Sequence, residues 1–230
     1  MGDLIIKKEK KPPYIVVDHS LDTKIITHWP GKIYKVEVMN PSKEKKINKG
    51  LVENIWYTRT FGVKIIEEIP IEMLFGKNGK EISRIIDLAR NISEEKVNAL
   101  ATYDNKTGRD LYTKAWRNWI ISTDKNYAYL NEDHHNTLKV SPKNQKYNSP
   151  IKEGLSIISS QFDIRASELV GNKYFNIDEE GEIYPKPIWA KASEKLLQAG
   201  MSYAENILSE SERIKLRKPV MEVFKLEENH

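Results

Sequence analysis

The chain has 230 residues and a net charge of +4, from 37 basic and 33 acidic side chains. Its hydrophobic share of 39% is too high for a disordered chain, and its length suffices to bury a core without staples. It contains no cysteine, which excludes disulfides, thiol nucleophiles and cysteine-held zinc together.

The opening residues, MGDLIIKKEKKPPY, hold a short apolar stretch where a secretory leader needs roughly 7–15 residues. Residues 4–17 read as strand, ending in the apolar run Tyr14-Ile15-Val16-Val17 after Pro12-Pro13. Ser20–Ile26 has the length of two helical turns, with Ser20 as N-cap. Pro30-Gly31 is a turn signal, and Ile33–Val38 after it is rich in β-branched residues. A lysine-rich polar loop over Asn40–Gly50 separates this strand from two more, Ile55–Thr60 and Gly62–Ile69, closed by Pro70.

From Glu72 the period changes. Ile82, Ile85, Ile86, Leu88 and Ala89 fall on one helical face. Ser93-Glu94-Glu95 opens a second helix, with a serine cap and two acids at its positive end. A third carries Leu111, Ala115, Trp116, Trp119 and Ile120. The three tryptophans 116, 119 and 189 have the spacing of core residues rather than of a base-stacking platform. After the polar stretch Asn131–Pro150 come a helix over Ile151–Phe162 and a hairpin, Lys173–Ile177 with Glu182–Tyr184, turning at Asp178–Gly181. A long helix is expected over Ile188–Leu208, then a short helix opened by Ser209-Glu210-Ser211-Glu212, then a final strand over Val220–Phe224.

The expected class is therefore α+β: a small, partly antiparallel β unit over 1–75, a helical section over 76–130, a polar loop or linker over 131–150, and a helix-plus-hairpin section over 151–230. No run of about 18 apolar residues reads as a membrane span, so no membrane partner is expected and the location expected is cytoplasmic.

Three stretches of the β unit carry a resemblance: YIVVDHSLDTKII, PGKIYKVEVMNPSKEKKIN and YTRTFGVKIIEEI. With Gly31-Lys32-Ile33-Tyr34-Lys35-Val36-Glu37, and with Tyr57-Thr58-Arg59 ahead of Val63 and Glu67, the region 14–70 resembles the rifampin-type ADP-ribosyltransferases. The resemblance implies NAD as cofactor. It implies Tyr14 and Glu44 in catalytic positions, and Tyr34, Tyr57 and Arg59 in cofactor binding. Tyr14 stands two residues ahead of the aligned position, and Glu44 is adjacent to its own. The family's first-strand histidine has no counterpart ahead of His19. On this reading the chain is an ADP-ribosyltransferase-like effector or modifying factor, active or degenerate.

Two other readings follow from the residues. A non-catalytic binding protein, of the inhibitor or immunity type, would act by covering a protein partner. Asp133-His134-His135-Asn136, between two strand-like segments and ahead of a helix, resembles the ββα-metal nucleases, with His134 as the base. A charge this nearly balanced neither supports nor excludes a nucleic-acid partner.

Overall fold

The computed structural model describes residues 2–9, 11–21, 26, 28–39, 57–123 and 150–227. The described residues are α+β in class and fall into two units, one up to Leu74 and one from Phe75 onward. Among them, no helix is long and apolar enough to cross a membrane.

The first unit is made of strands β1 (Leu4–Ile6), β2 (Ile15–Asp18), β3 (Ile33–Val38), β4 (Tyr57–Thr60) and β5 (Gly62–Ile69). The strand expected over 4–17 is two strands. The Lys7 amide still donates to the Phe61 carbonyl at 2.8 Å, and further on Pro12 and Pro13 have no amide to donate to a ladder. The three-stranded sheet runs β1-β5-β3, antiparallel throughout, and β2 pairs with β4 in a separate ribbon. Val63, Ile65, Val36 and Val38 share one face of the sheet. Across the same strand pair, Lys32 meets Glu68 and Lys35 meets Glu67, each at 3.1 Å.

Thr60 makes the corner between ribbon and sheet. Its buried hydroxyl donates to the Gly62 carbonyl at 3.0 Å and accepts from the Gly62 amide at 3.2 Å, so the polar groups of the bend are satisfied locally. Of the helix expected over Ser20–Ile26, residues 22–25 lie outside the described residues, as does the whole lysine-rich loop 40–50.

The second unit holds α1 (Gly79–Arg90), α2 (Glu94–Thr102), α3 (Gly108–Thr123), α4 (Pro150–Val170), the hairpin β6 (Phe175–Ile177) and β7 (Ile183–Pro185), α5 (Pro187–Met201) and α6 (Glu210–Phe224). Ser93 caps α2 as its sequence predicts, accepting from the Lys96 amide. Ile82, Ile85, Ile86 and Ala89 are buried, as their helical spacing requires. Helix α5 touches α1, α2, α3, α4 and α6 and is the hub of the core, through Ala192, Leu196 and Ala199.

Two helix crossings in this core depend on a missing side chain. A Cβ at Gly154 of α4 would lie 2.7 Å from the Ile82 Cγ2 of α1. A Cβ at Gly200 of α5 would lie 2.7 Å from the Ile158 Cδ1 and 2.9 Å from the Leu155 Cδ2 of α4.

Three boundaries differ from expectation. Helix α4 runs on to Val170 rather than ending at Phe162. Ala166 continues its buried face, and Gly171, at φ 56, supplies the left-handed stop. Helix α5 ends at Met201 rather than near Leu208. Beyond it the carbonyls of Ser202, Tyr203 and Ile207 are taken by side-chain donors from elsewhere: Arg213 at 2.6 Å, Asn78 at 2.7 Å and Asn118 at 2.7 Å. Val220–Phe224 is the last part of α6, not a strand. Leu216 and Val220, four apart, both point into the core. Pro219 removes the amide that would pair with the Lys215 carbonyl, and Asn105 Nδ2 donates to that carbonyl instead at 3.2 Å.

Helix α6 begins with a complete capping box. Ser209 accepts from the Glu212 amide, and the Glu212 carboxylate accepts from the Ser209 amide at 3.0 Å. The Lys114 ammonium, donating to Glu212 at 2.6 Å, together with the Ser209 amide and hydroxyl, holds the carboxyl down at about 2.

Two outcomes are expected. Gly154→Ala gains up to about 1 kcal/mol of helix propensity but forces a buried, branched methyl aside, for a net loss of about 1–2 kcal/mol in urea unfolding. For Glu212, a depressed folded value means that its contribution is present above the usual carboxyl range and is lost as pH falls toward 2. Glu212→Gln keeps the box and loses the ion pair. Its melting temperature should lie below wild type at pH 7, and the two should converge by pH 2. An equal gap at both pH values would show that the charge is not the cause.

Candidate functional site

In the β unit the register of the ribbon decides which side chains meet. Tyr57 and Arg59 are two apart on β4 and so share a face. Antiparallel pairing sets Val16 opposite Arg59 and Asp18 opposite Tyr57, which places Tyr14, just ahead of β2, beside Arg59.

The Arg59 guanidinium carbon lies 5.8 Å from the centre of the Tyr14 ring and 5.7 Å from that of Tyr57. Both are within cation–π range. Arg59 Nη2 donates to the Tyr57 hydroxyl at 3.5 Å, a long contact. Tyr14 is backed in turn by Phe61, with ring centres 5.3 Å apart and planes tilted by 58°. All four side chains are half-buried. On the opposite face of the ribbon, His19 Nε2 and Thr58 Oγ1 are hydrogen-bonded at 2.7 Å.

The chemistry of the cluster follows from the guanidinium. It carries five donors in a rigid fork that matches a carboxylate or a phosphate edge to edge. Among the described residues Arg59 has no acidic partner within ion-pair distance, and its one side-chain hydrogen bond is the long one to Tyr57. The two rings lie against the fork and leave most of its donors unused. The arrangement offers a positioned cation with flat apolar surface on both sides.

Three of the five residues singled out in the sequence, Tyr14, Tyr57 and Arg59, thus come together. Tyr34 does not join them. It lies on β3, in the three-stranded sheet, opposite Glu68, and is 39% exposed. Glu44 lies outside the described residues, as do His134 and the Asp133–Asn136 segment. Phe61 was not singled out. Its signal was its place directly after β4, where it follows Tyr57 and Arg59 at intervals of two.

Compared with protein-family models, with curated proteins and with solved structures, the chain matches none.

Proposed function

We propose that the β unit is a ligand-binding module whose Tyr14–Arg59–Tyr57 stack takes an anionic ligand bearing a flat ring, a nucleotide of the NAD class. The observation that carries this is the Arg59 fork, held between two tyrosine rings with its donors largely unspent. A phosphate supplies the acceptors that the fork lacks, and charge-assisted contacts of this kind are the stronger class of hydrogen bond. A nicotinamide or adenine ring supplies a face for the tyrosines. NAD is the first ligand to test because the residues around Tyr34, Tyr57 and Arg59 resemble those of the ADP-ribosyltransferases.

The same resemblance extends the reading to transfer chemistry. Breaking the glycosidic bond to nicotinamide develops positive charge on the ribose, and a carboxylate beside it stabilises that charge as in glycosidases. On this reading Glu44 is that carboxylate, and the chain is an ADP-ribosyltransferase-like effector or modifying factor.

Binding and transfer are tested separately. A ligand at 100 times its dissociation constant adds about 2.7 kcal/mol to stability, which a melting curve resolves. Millimolar NAD should raise the wild-type melting temperature, and Arg59→Ala should abolish the rise. Arg59→Lys should restore little of it, because an ammonium has no fork and stacks less well. An unshifted wild-type melt removes NAD as the ligand. Release of nicotinamide by wild type and its loss in Glu44→Gln would then report transfer.

A further inference from the structure

We propose that the β6–β7 hairpin of the second unit is a docking surface for a basic polypeptide segment that carries an apolar anchor, supplied by a partner protein. Ile177 and Ile183 are directly opposed across the hairpin and therefore share a face. They are 69% and 65% exposed, more than any other large apolar side chain described. Phe175, two residues before Ile177, extends the same face and is 38% exposed. Scattered single apolar residues on a surface are ordinary, whereas three adjacent ones on a fixed scaffold point to a contact.

The hairpin is rigid at both ends. At its tip, the Asp178 carboxylate accepts from the amides of Glu180 at 3.0 Å and Glu182 at 2.8 Å, and Gly181 takes φ 83. At its base, the Tyr174 carbonyl accepts from the Lys186 amide at 2.9 Å. Buried Tyr174 stacks edge-on to Trp189 at 5.6 Å and donates its hydroxyl to Asp163. A surface already held in shape loses little conformational entropy on binding.

Charge selects the occupant. Asp178, Glu179, Glu180 and Glu182 stand within five residues beside the two isoleucines. None of the four has a cationic partner among the described residues, although the chain as a whole is basic. Four acids at the tip, beside the two isoleucines, disfavour an acidic or neutral partner there and speed encounter with a basic one. It also disfavours an anionic lipid surface, which repels carboxylates. A segment that alternates lysine or arginine with aliphatic residues meets both halves of the surface. This inference is independent of ligand binding in the β unit, since none of its residues belong to that unit.

The full chain is titrated, by fluorescence anisotropy, into a labelled peptide of alternating leucine and lysine. Two variants are compared with wild type: Ile177→Ser with Ile183→Ser, and Glu179→Lys with Glu180→Lys. Every substituted side chain is exposed, and melting curves confirm that each variant is folded. The expected result is saturable binding to wild type, weakened about ten-fold or more by each pair of substitutions, and weakened by salt. Equal affinity for wild type and both variants overturns the proposal, as does the absence of binding to wild type. Concentration-dependent dimerisation of wild type that the isoleucine variant abolishes would assign the face to a second copy. Binding to phosphatidylserine vesicles that the same variant abolishes would assign it to a membrane. Either result also overturns the proposal.

Discussion

Three helices of the second unit approach one another at points where a side chain is missing. Helix α4 reaches Ile82 of α1 at Gly154, and Gly200 of α5 receives Ile158 and Leu155 of α4. Close approach of this kind puts many atom pairs at contact distance and leaves no space for a rearranged core. The position of α4 between its two neighbours is thereby fixed, and other features inherit it. The β6–β7 hairpin is the connection between the end of α4 and the start of α5. Because both helices are locked, the ends of the hairpin are locked, and Tyr174 can be buried against Trp189, which packs in turn on Phe162.

A second layer of order in this unit is polar and long-range. Carbonyls freed where α5 stops, and where Pro219 interrupts α6, accept from Arg213, Asn78, Asn118 and Asn105. At the other end of α6, Lys96 Nζ donates to the Val223 carbonyl at 2.7 Å, and the Tyr103 hydroxyl donates to Glu222 at 2.5 Å. Each carbonyl so matched would, if buried without a partner, cost about 1–3 kcal/mol. These bonds also explain why the 202–209 connection holds its shape without regular structure.

The legible parts of the fold are those whose signals are local. Strand β5, the buried stripe of α1, the serine cap of α2, the hairpin turn at Gly181 and the capping box at Ser209 all declare themselves within a few residues. The errors share one cause: a distant residue decides the outcome. Val220–Phe224 has strand composition and a nearby proline, yet it is helical. The partner that compensates for Pro219 is Asn105, 110 residues from the carbonyl it serves. The carbonyls beyond the end of α5 are taken by donors on α3, on α6 and at Asn78 just before α1, which no window around Met201 contains. In the candidate site, the shared face of Tyr57 and Arg59 follows from strand alternation. The arrival of Tyr14 beside them depends on the β2–β4 register, which the sequence alone does not fix. The hairpin was legible as a hairpin, but strands of three residues do not tell which face will be covered.

The near-balance of charge in this chain conceals an uneven distribution. Some opposite charges on the surface are matched: Lys32 with Glu68, Lys35 with Glu67, Lys114 with Glu212, Arg213 and Arg217 with Glu210. Arg59 in one unit and the four acids of the hairpin in the other have no such partner among the described residues. Exposed ion pairs contribute only about 0–1 kcal/mol each, so pairing these groups would add little stability. Leaving them unpaired is correspondingly cheap for the fold. It is consequential for recognition, because an uncompensated charge on a rigid support keeps its field available to a ligand. Arg59 is held by two tyrosine rings, and the hairpin acids by a turn and a buried tyrosine. Each support is built from packing rather than from a counter-charge, which is the condition under which a charge can be both fixed in place and free to bind.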